Sequence, residues 1–99
     1  MTCVIVSAKA RDDFRKVASH LSRHAGSAVA RRYAEEFDAC LALIAEHPRI
    51  GAERPELGTN VRTRVIRPYI LIYGFAGETV EVLRIVHGRR KLTKRKLLG

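Results

Sequence analysis

The sequence predicts an α+β fold. An antiparallel β-sheet of about four strands carries an N-terminal α-helical hairpin on one face, in the order β-α-α-β-β-β. Three observations predict it. The stretches Val61–Ile66, Tyr69–Phe75 and Thr79–Val86 are dense in β-branched and aromatic residues, broken by Arg67-Pro68 and by Ala76-Gly77-Glu78. Ahead of them lie two segments whose apolar residues recur at helical spacing. The connection between those segments, around Gly26, is so short that they must fold back as an antiparallel hairpin.

Each element has a local reason. Cys3-Val4-Ile5-Val6 is a short β-branched run bounded by Ser7, hence a strand. The Ser7 hydroxyl can accept from a free N–H of the first helical turn. From Ala8 to about Ala25, the residues Ala10, Phe14, Val17, Ala18, Leu21 and Ala25 form one stripe, with Arg11, Arg15, Lys16, Ser22 and Arg23 opposite. Gly26 suits the residue after a helix end. Ser27 is placed to cap the second helix, whose stripe is Val29, Tyr33, Phe37, Cys40, Leu41 and Ile44. Pro48 stops it, because the residue before a proline is pushed out of the helical region. Pro48 to Asn60 reads as a loop, with Gly58-Thr59-Asn60 as the turn into the next strand.

In the second strand Val61, Thr63 and Val65 alternate with Arg62, Arg64 and Ile66. The third is apolar on both faces, which marks a central strand. The fourth alternates Val80, Val82, Arg84 and Val86 against Glu81, Leu83, Ile85 and His87. Two helices cover one face of such a sheet. The other face keeps apolar residues such as Leu83 and Ile85, or Ile70 and Ile72, and an uncovered patch of this kind marks a binding surface.

The 99 residues fit one domain, spanning 1–99, with 91–99 as a basic C-terminal tail. Nineteen Lys and Arg against ten Asp and Glu give a net charge of +9. That points to an acidic partner: nucleic acid, a nucleic-acid-bound protein or an acidic peptide. The 2 cysteines, Cys3 and Cys40, form neither a disulfide framework nor a metal-ligand cluster. Both read as small buried hydrophobes in a reducing compartment. No signal peptide or membrane-spanning run is visible, so a cytoplasmic location is expected. No Ser/His/Asp set, phosphate-cradling glycine loop or zinc-ligand spacing occurs, and nothing requires a cofactor or metal.

Local strings at matching order and spacing carry a resemblance. They are Ile44-Ala45-Glu46-His47-Pro48-Arg49-Ile50-Gly51, Glu53-Arg54-Pro55-Glu56-Leu57-Gly58 followed by Val61-Arg62, Pro68-Tyr69-Ile70-Leu71-Ile72-Tyr73 and Val82-Leu83-Arg84-Ile85-Val86-His87-Gly88-Arg89-Arg90. Together they resemble the ParE branch of the RelE/ParE family of toxins from bacterial toxin–antitoxin modules. The resemblance implies a toxin that binds DNA gyrase and stalls it, without catalysis of its own, and that is neutralised by a cognate antitoxin in a hetero-oligomer. No sequence-specific nucleic-acid binding by the chain alone and no membrane partner are implied.

Under this reading Arg62, Arg64, Arg84, His87, Arg89 and Arg90 are candidates for contacting the target. Ile70, Ile72, Leu83, Ile85 and Leu92 are candidates for contacting the antitoxin. Three of the arginines also have a structural alternative: Arg62 and Arg64 as a solvated face or in pairs with Glu56 or Glu81, Arg84 in a pair with Glu36 or Glu81. The RelE-like branch consists of ribosome-dependent mRNA endoribonucleases, which need a cationic cluster and a proton-transfer group. Arg62, Arg64, Arg84, His87 and Arg90 would have to fill those roles here. No tyrosine follows Tyr73 in the chain, and that departure favours the gyrase-directed branch.

Overall fold

The computed structural model describes residues 2–88. Its elements are β1 (Cys3–Val6), α1 (Ala8–Ala25), α2 (Ser27–Glu46), β2 (Ala52–Glu53), a 3₁₀ turn (Pro55–Leu57), β3 (Val61–Ile66), β4 (Tyr69–Ala76) and β5 (Thr79–His87). The helical hairpin and the three long strands fall where the sequence places them. Arg89, Arg90, Leu92 and the rest of the basic tail lie outside the described residues.

The sheet has five strands in the order β1-β5-β4-β3-β2. It is mixed rather than antiparallel throughout, because β1 pairs parallel to β5. The helical hairpin lies between β1 and the rest of the chain, and a crossover of that length lets β1 return beside the last strand in parallel. The added strand, β2, pairs Ala52 with Thr63 and Glu53 with Arg62.

Both helices lie on one face. Phe37, Cys40 and Ile44 of α2 and Ala10 of α1 pack on Ile66, Tyr69, Leu71, Tyr73, Val80, Val82 and Ile85. The Phe14 and Phe37 rings meet edge to face at 5.5 Å, a geometry that adds about 1 kcal/mol to their burial. These two residues sit at near-equal sequence distance on either side of Gly26, as an antiparallel hairpin requires. Gly26 has φ 93°, a left-handed backbone that glycine adopts without penalty. Ser27 does not cap α2. The chain reverses at Gly26 itself, whose carbonyl already accepts from Ala30 N–H at 3.2 Å, so Ser27 stands inside the helix.

The opposite face is less open than the sequence suggests. Leu57, delivered by the 3₁₀ turn, forms a second cluster with Val61, Ile72 and Val86, against which Ile70 and Leu83 pack. Ile72 is only 1 % exposed. Ile85 is not on this face at all. Ile72 stands opposite Arg84 but Tyr73 stands opposite Val82, so β5 carries a bulge at Leu83. One extra residue inverts the alternation. Leu83 therefore stays on the open face, and Ile85 turns into the helix-side core. Of the two cysteines, Cys40 is buried but Cys3 is exposed, because β1 is an edge strand.

Candidate functional site

The first cluster of polar groups forms where β5 outruns β1. β1 ends at Val6, opposite Val82, and beyond that point the first turns of α1 take over as partners. Ser7 N–H donates to Val82 C=O at 3.0 Å. The Ser7 hydroxyl accepts from Ala10 N–H at 3.0 Å, as expected for a helix cap, and donates to Leu83 C=O at 3.0 Å. Asp13 accepts from Ile85 N–H at 3.0 Å. The same carboxylate takes a two-pronged bond from the Arg84 guanidinium, at 2.7 Å from Nε and 3.1 Å from Nη2. Arg84 therefore pairs with Asp13, not with Glu36 or Glu81. The Asp13 hydrogen bond, outweighing the cost of burial, raises the Arg84 pKa above its already high ordinary value.

The second cluster holds the segment between α2 and β2. The Tyr73 hydroxyl donates to Pro48 C=O at 2.6 Å and accepts from Gly51 N–H at 2.9 Å. Arg62 donates from Nη1 to Arg49 C=O at 3.0 Å and to Gly51 C=O at 2.8 Å. Its Nη2 reaches Glu53 at 2.8 Å. The guanidinium groups of Arg62 and Arg49 lie 5.7 and 6.0 Å from the centre of the Phe75 ring. Burial is the main cause that pushes the Tyr73 phenol above its ordinary pKa. A side chain on Gly51 would put its Cβ 2.7 Å from the Tyr73 hydroxyl and 2.9 Å from Thr63 C=O. The string His47-Pro48-Arg49-Ile50-Gly51 is thus a loop tied down by a tyrosine and an arginine from the sheet.

The candidate target residues do not converge. Arg62 and Arg64 belong to β3 and Arg84 to β5, with β4 between them. Arg64 is half-buried beside the Cys40 thiol, whose pKa burial raises more than Arg64 lowers it. His87 is exposed at the end of β5, its ring 5.9 Å from that of Tyr69. Among the described antitoxin candidates, Ile70 and Leu83 remain partly exposed on the open face, whereas Ile72 and Ile85 are buried.

The sequence reading missed a groove at the other edge of the sheet. Its volume is about 640 Å³, and Val4, Val6, Phe14, Phe37, Leu41 and Leu71 line much of it. Arg11, Arg15 and Asp38 also border it. Ile5 beside it is 47 % exposed. Cys3 N–H bonds to Glu78 C=O just before β5 and Ser7 N–H to Val82 C=O within it, so by alternation the backbone groups of Val4 and Val6 point away from the sheet. Among the described residues no other strand pairs with that edge. The stripe of α1 was the available signal: only Ala10 in that helix is fully buried, while Phe14, Val17 and Leu21 are half-covered.

Comparison with known proteins agrees with this architecture. Residues 4–92 match the family model described as the ParE toxin of the type II toxin–antitoxin system parDE. The chain is 29 % identical over 80 residues to Toxin ParE3 of Caulobacter vibrioides, covering 81 % of this chain and 80 % of that one. A solved structure of the chromosomal ParDE toxin–antitoxin system from P. aeruginosa superposes with a TM-score of 0.74 at 22 % identity, covering 88 % of this chain and 96 % of that one.

Proposed function

Since this chain belongs to the ParE toxin family of type II toxin–antitoxin systems, we propose that it arrests growth by binding DNA gyrase in the cytoplasm and is neutralised by a cognate antitoxin. The observation that carries the antitoxin half is the apolar groove along the free edge of β1. A partner segment laid there would cover Ile5 and could satisfy the outward backbone groups of Val4 and Val6. Burial of apolar surface supplies about 25 cal/mol per Å². A segment that wraps from this edge onto the open face would also meet Ile70 and Leu83. A net charge of +9 favours an acidic antitoxin.

Action by binding rather than catalysis is the reading the arginines support. A ribonuclease would need Arg62, Arg64, Arg84, His87 and Arg90 free to serve one phosphate. Arg62 is spent on the 49–53 segment and Arg84 on Asp13. Supercoiling by purified gyrase tests this. Folded toxin free of antitoxin should inhibit it, and addition of the antitoxin should restore activity. Full supercoiling at a stoichiometric excess of toxin would overturn the gyrase assignment. Codon-phased mRNA cuts in induced cells, lost on His87→Gln, would favour the RelE-like alternative.

A further inference from the structure

Charge is unevenly placed along the molecule. Glu46, Glu53, Glu56 and Glu78 gather toward the end that holds the loop after α2 and the β4–β5 turn. The opposite end joins the last turns of α1, the first turns of α2, the β3–β4 turn and the end of β5. Side-chain contacts bring these pieces together. Tyr33 of α2 donates to Arg67 C=O of the β3–β4 turn at 2.9 Å. The Tyr69 ring is 5.9 Å from Tyr33 and 5.9 Å from His87. His20 borders the same cleft as Tyr69 and His87, and stacks on His24 at 4.5 Å.

Arg23, Arg31, Arg32 and Arg67 all lie at this end and all are exposed. Among the described residues none of the four has an ion pair, and the one side-chain partner is Ser19, which accepts from Arg23 at 3.1 Å. Glu35 and Glu36 follow within the next turn of α2 without pairing to them. At the other end Arg54 and Arg62 are neutralised by Glu56 and Glu53, and Arg49, which has no ion pair among the described residues, lies against the Phe75 ring. Fold stability does not account for four guanidinium groups without an ion pair on three elements.

We propose that this basic end is a contact surface for the phosphate backbone of duplex DNA, without base readout. Guanidinium groups match phosphate oxygens in a planar fork. The four are spread across a surface rather than gathered in a pocket, which suits the repeated charges of a duplex. An acidic peptide would want an apolar anchor beside the charges. Of the exposed large hydrophobics among the described residues, Ile5 on β1 and Ile50 in the loop after α2 lie elsewhere, and Val65, near the β3–β4 turn, is on the sheet face away from the helices that carry Arg23, Arg31 and Arg32. The inference goes beyond the gyrase reading and is measured without gyrase.

The test is fluorescence anisotropy of the full chain with a labelled duplex of arbitrary sequence, titrated across salt. Affinity should fall steeply as salt rises. Arg31→Gln with Arg32→Gln should make the slope of log K against log salt shallower by about 1.8, two phosphate contacts' worth. Arg49→Gln, at the far end, should leave the slope unchanged. An unchanged slope in the Arg31/Arg32 double variant would overturn the proposal, as would the absence of binding at low salt. Displacement by poly-glutamate at equal charge concentration would overturn it in favour of an acidic protein. DNA binding without gyrase inhibition would leave this surface standing and remove the gyrase reading alone.

Discussion

Two places in this molecule solve the same problem with different chemistry. At the bulge of β5, backbone groups left over by an irregular strand are met by Ser7 and Asp13 of the helix side. At the segment after α2, leftover carbonyls and an N–H are met by Tyr73 and Arg62 of the sheet. The first rests on an ion pair with both partners largely buried, the second on a neutral phenol and an arginine whose carboxylate partner, Glu53, is mostly exposed. An ion pair lowers the energy only while both partners remain, since either alone is a poorly solvated charge. A phenol carries no such hostage. The two sites should therefore fail differently when cut.

The largest loss is expected from Asp13→Ala. It removes the carboxylate paired with the Arg84 guanidinium, which is only 17 % exposed in the pair, and leaves Ile85 N–H without its acceptor. We expect about 3 kcal/mol of lost stability by chemical denaturation. Adding Arg84→Ala to that variant should return part of the loss, because the largely buried charge that lost its carboxylate disappears. A double variant less stable than Asp13→Ala alone would show that Arg84 acts by packing and not by charge.

Next in size is Gly51→Ala. The new methyl meets the Tyr73 hydroxyl and the Thr63 carbonyl at once, and backbone cannot move aside as a side-chain tip can. About 2 kcal/mol should be lost, and Tyr73→Phe in the same chain should soften the clash. Tyr73→Phe alone should cost about 1 to 2 kcal/mol, since Gly51 N–H and Pro48 C=O lose their partner. It also changes the response to alkali. The folded state holds the Tyr73 phenol above its ordinary 10.0, mainly by burial. Its contribution is therefore intact below about pH 10 and is lost as pH rises from there through the folded value. In the phenylalanine variant the alkaline fall should be shallower. Tyr69, raised in the same direction by burial, retains the remainder.

How far the sequence speaks follows from the same contrast. Period-two alternation and helical stripes locate the hairpin and the three long strands, because both signals are local. The Ser7 cap is legible for the same reason. Asp13 is not: it meets Arg84 across 71 positions of sequence, and nothing nearby in the chain announces the pairing. The bulge is equally silent, since a strict alternation puts Leu83 and Ile85 together and one inserted residue parts them. The parallel seat of β1 depends on a strand far down the chain. Of the arginines that stand out inside the family-like strings, Arg62 turns out to hold irregular backbone and Arg84 to pair with the carboxylate that does. Arg23, Arg31, Arg32 and Arg67, outside those strings or at their edge, have no ion pair among the described residues and gather at one end of the molecule.

The smallest effect on stability, and the most telling for function, is expected from Ile5→Glu. Ile5 lies outside both clasps, and nearly half of it already faces water, so folding should change by no more than about 0.5 kcal/mol. Binding is another matter. A carboxylate at the rim of an apolar groove must be stripped of water when a partner segment covers it, and it also repels an acidic partner. Affinity for the antitoxin, measured by calorimetry, should drop at least about tenfold, a loss of about 1.4 kcal/mol. The same substitution on the open face, Leu83→Glu, separates the two docking surfaces. If it weakens the complex while Ile5→Glu leaves it intact, the antitoxin's main seat is the open face and not the β1 edge.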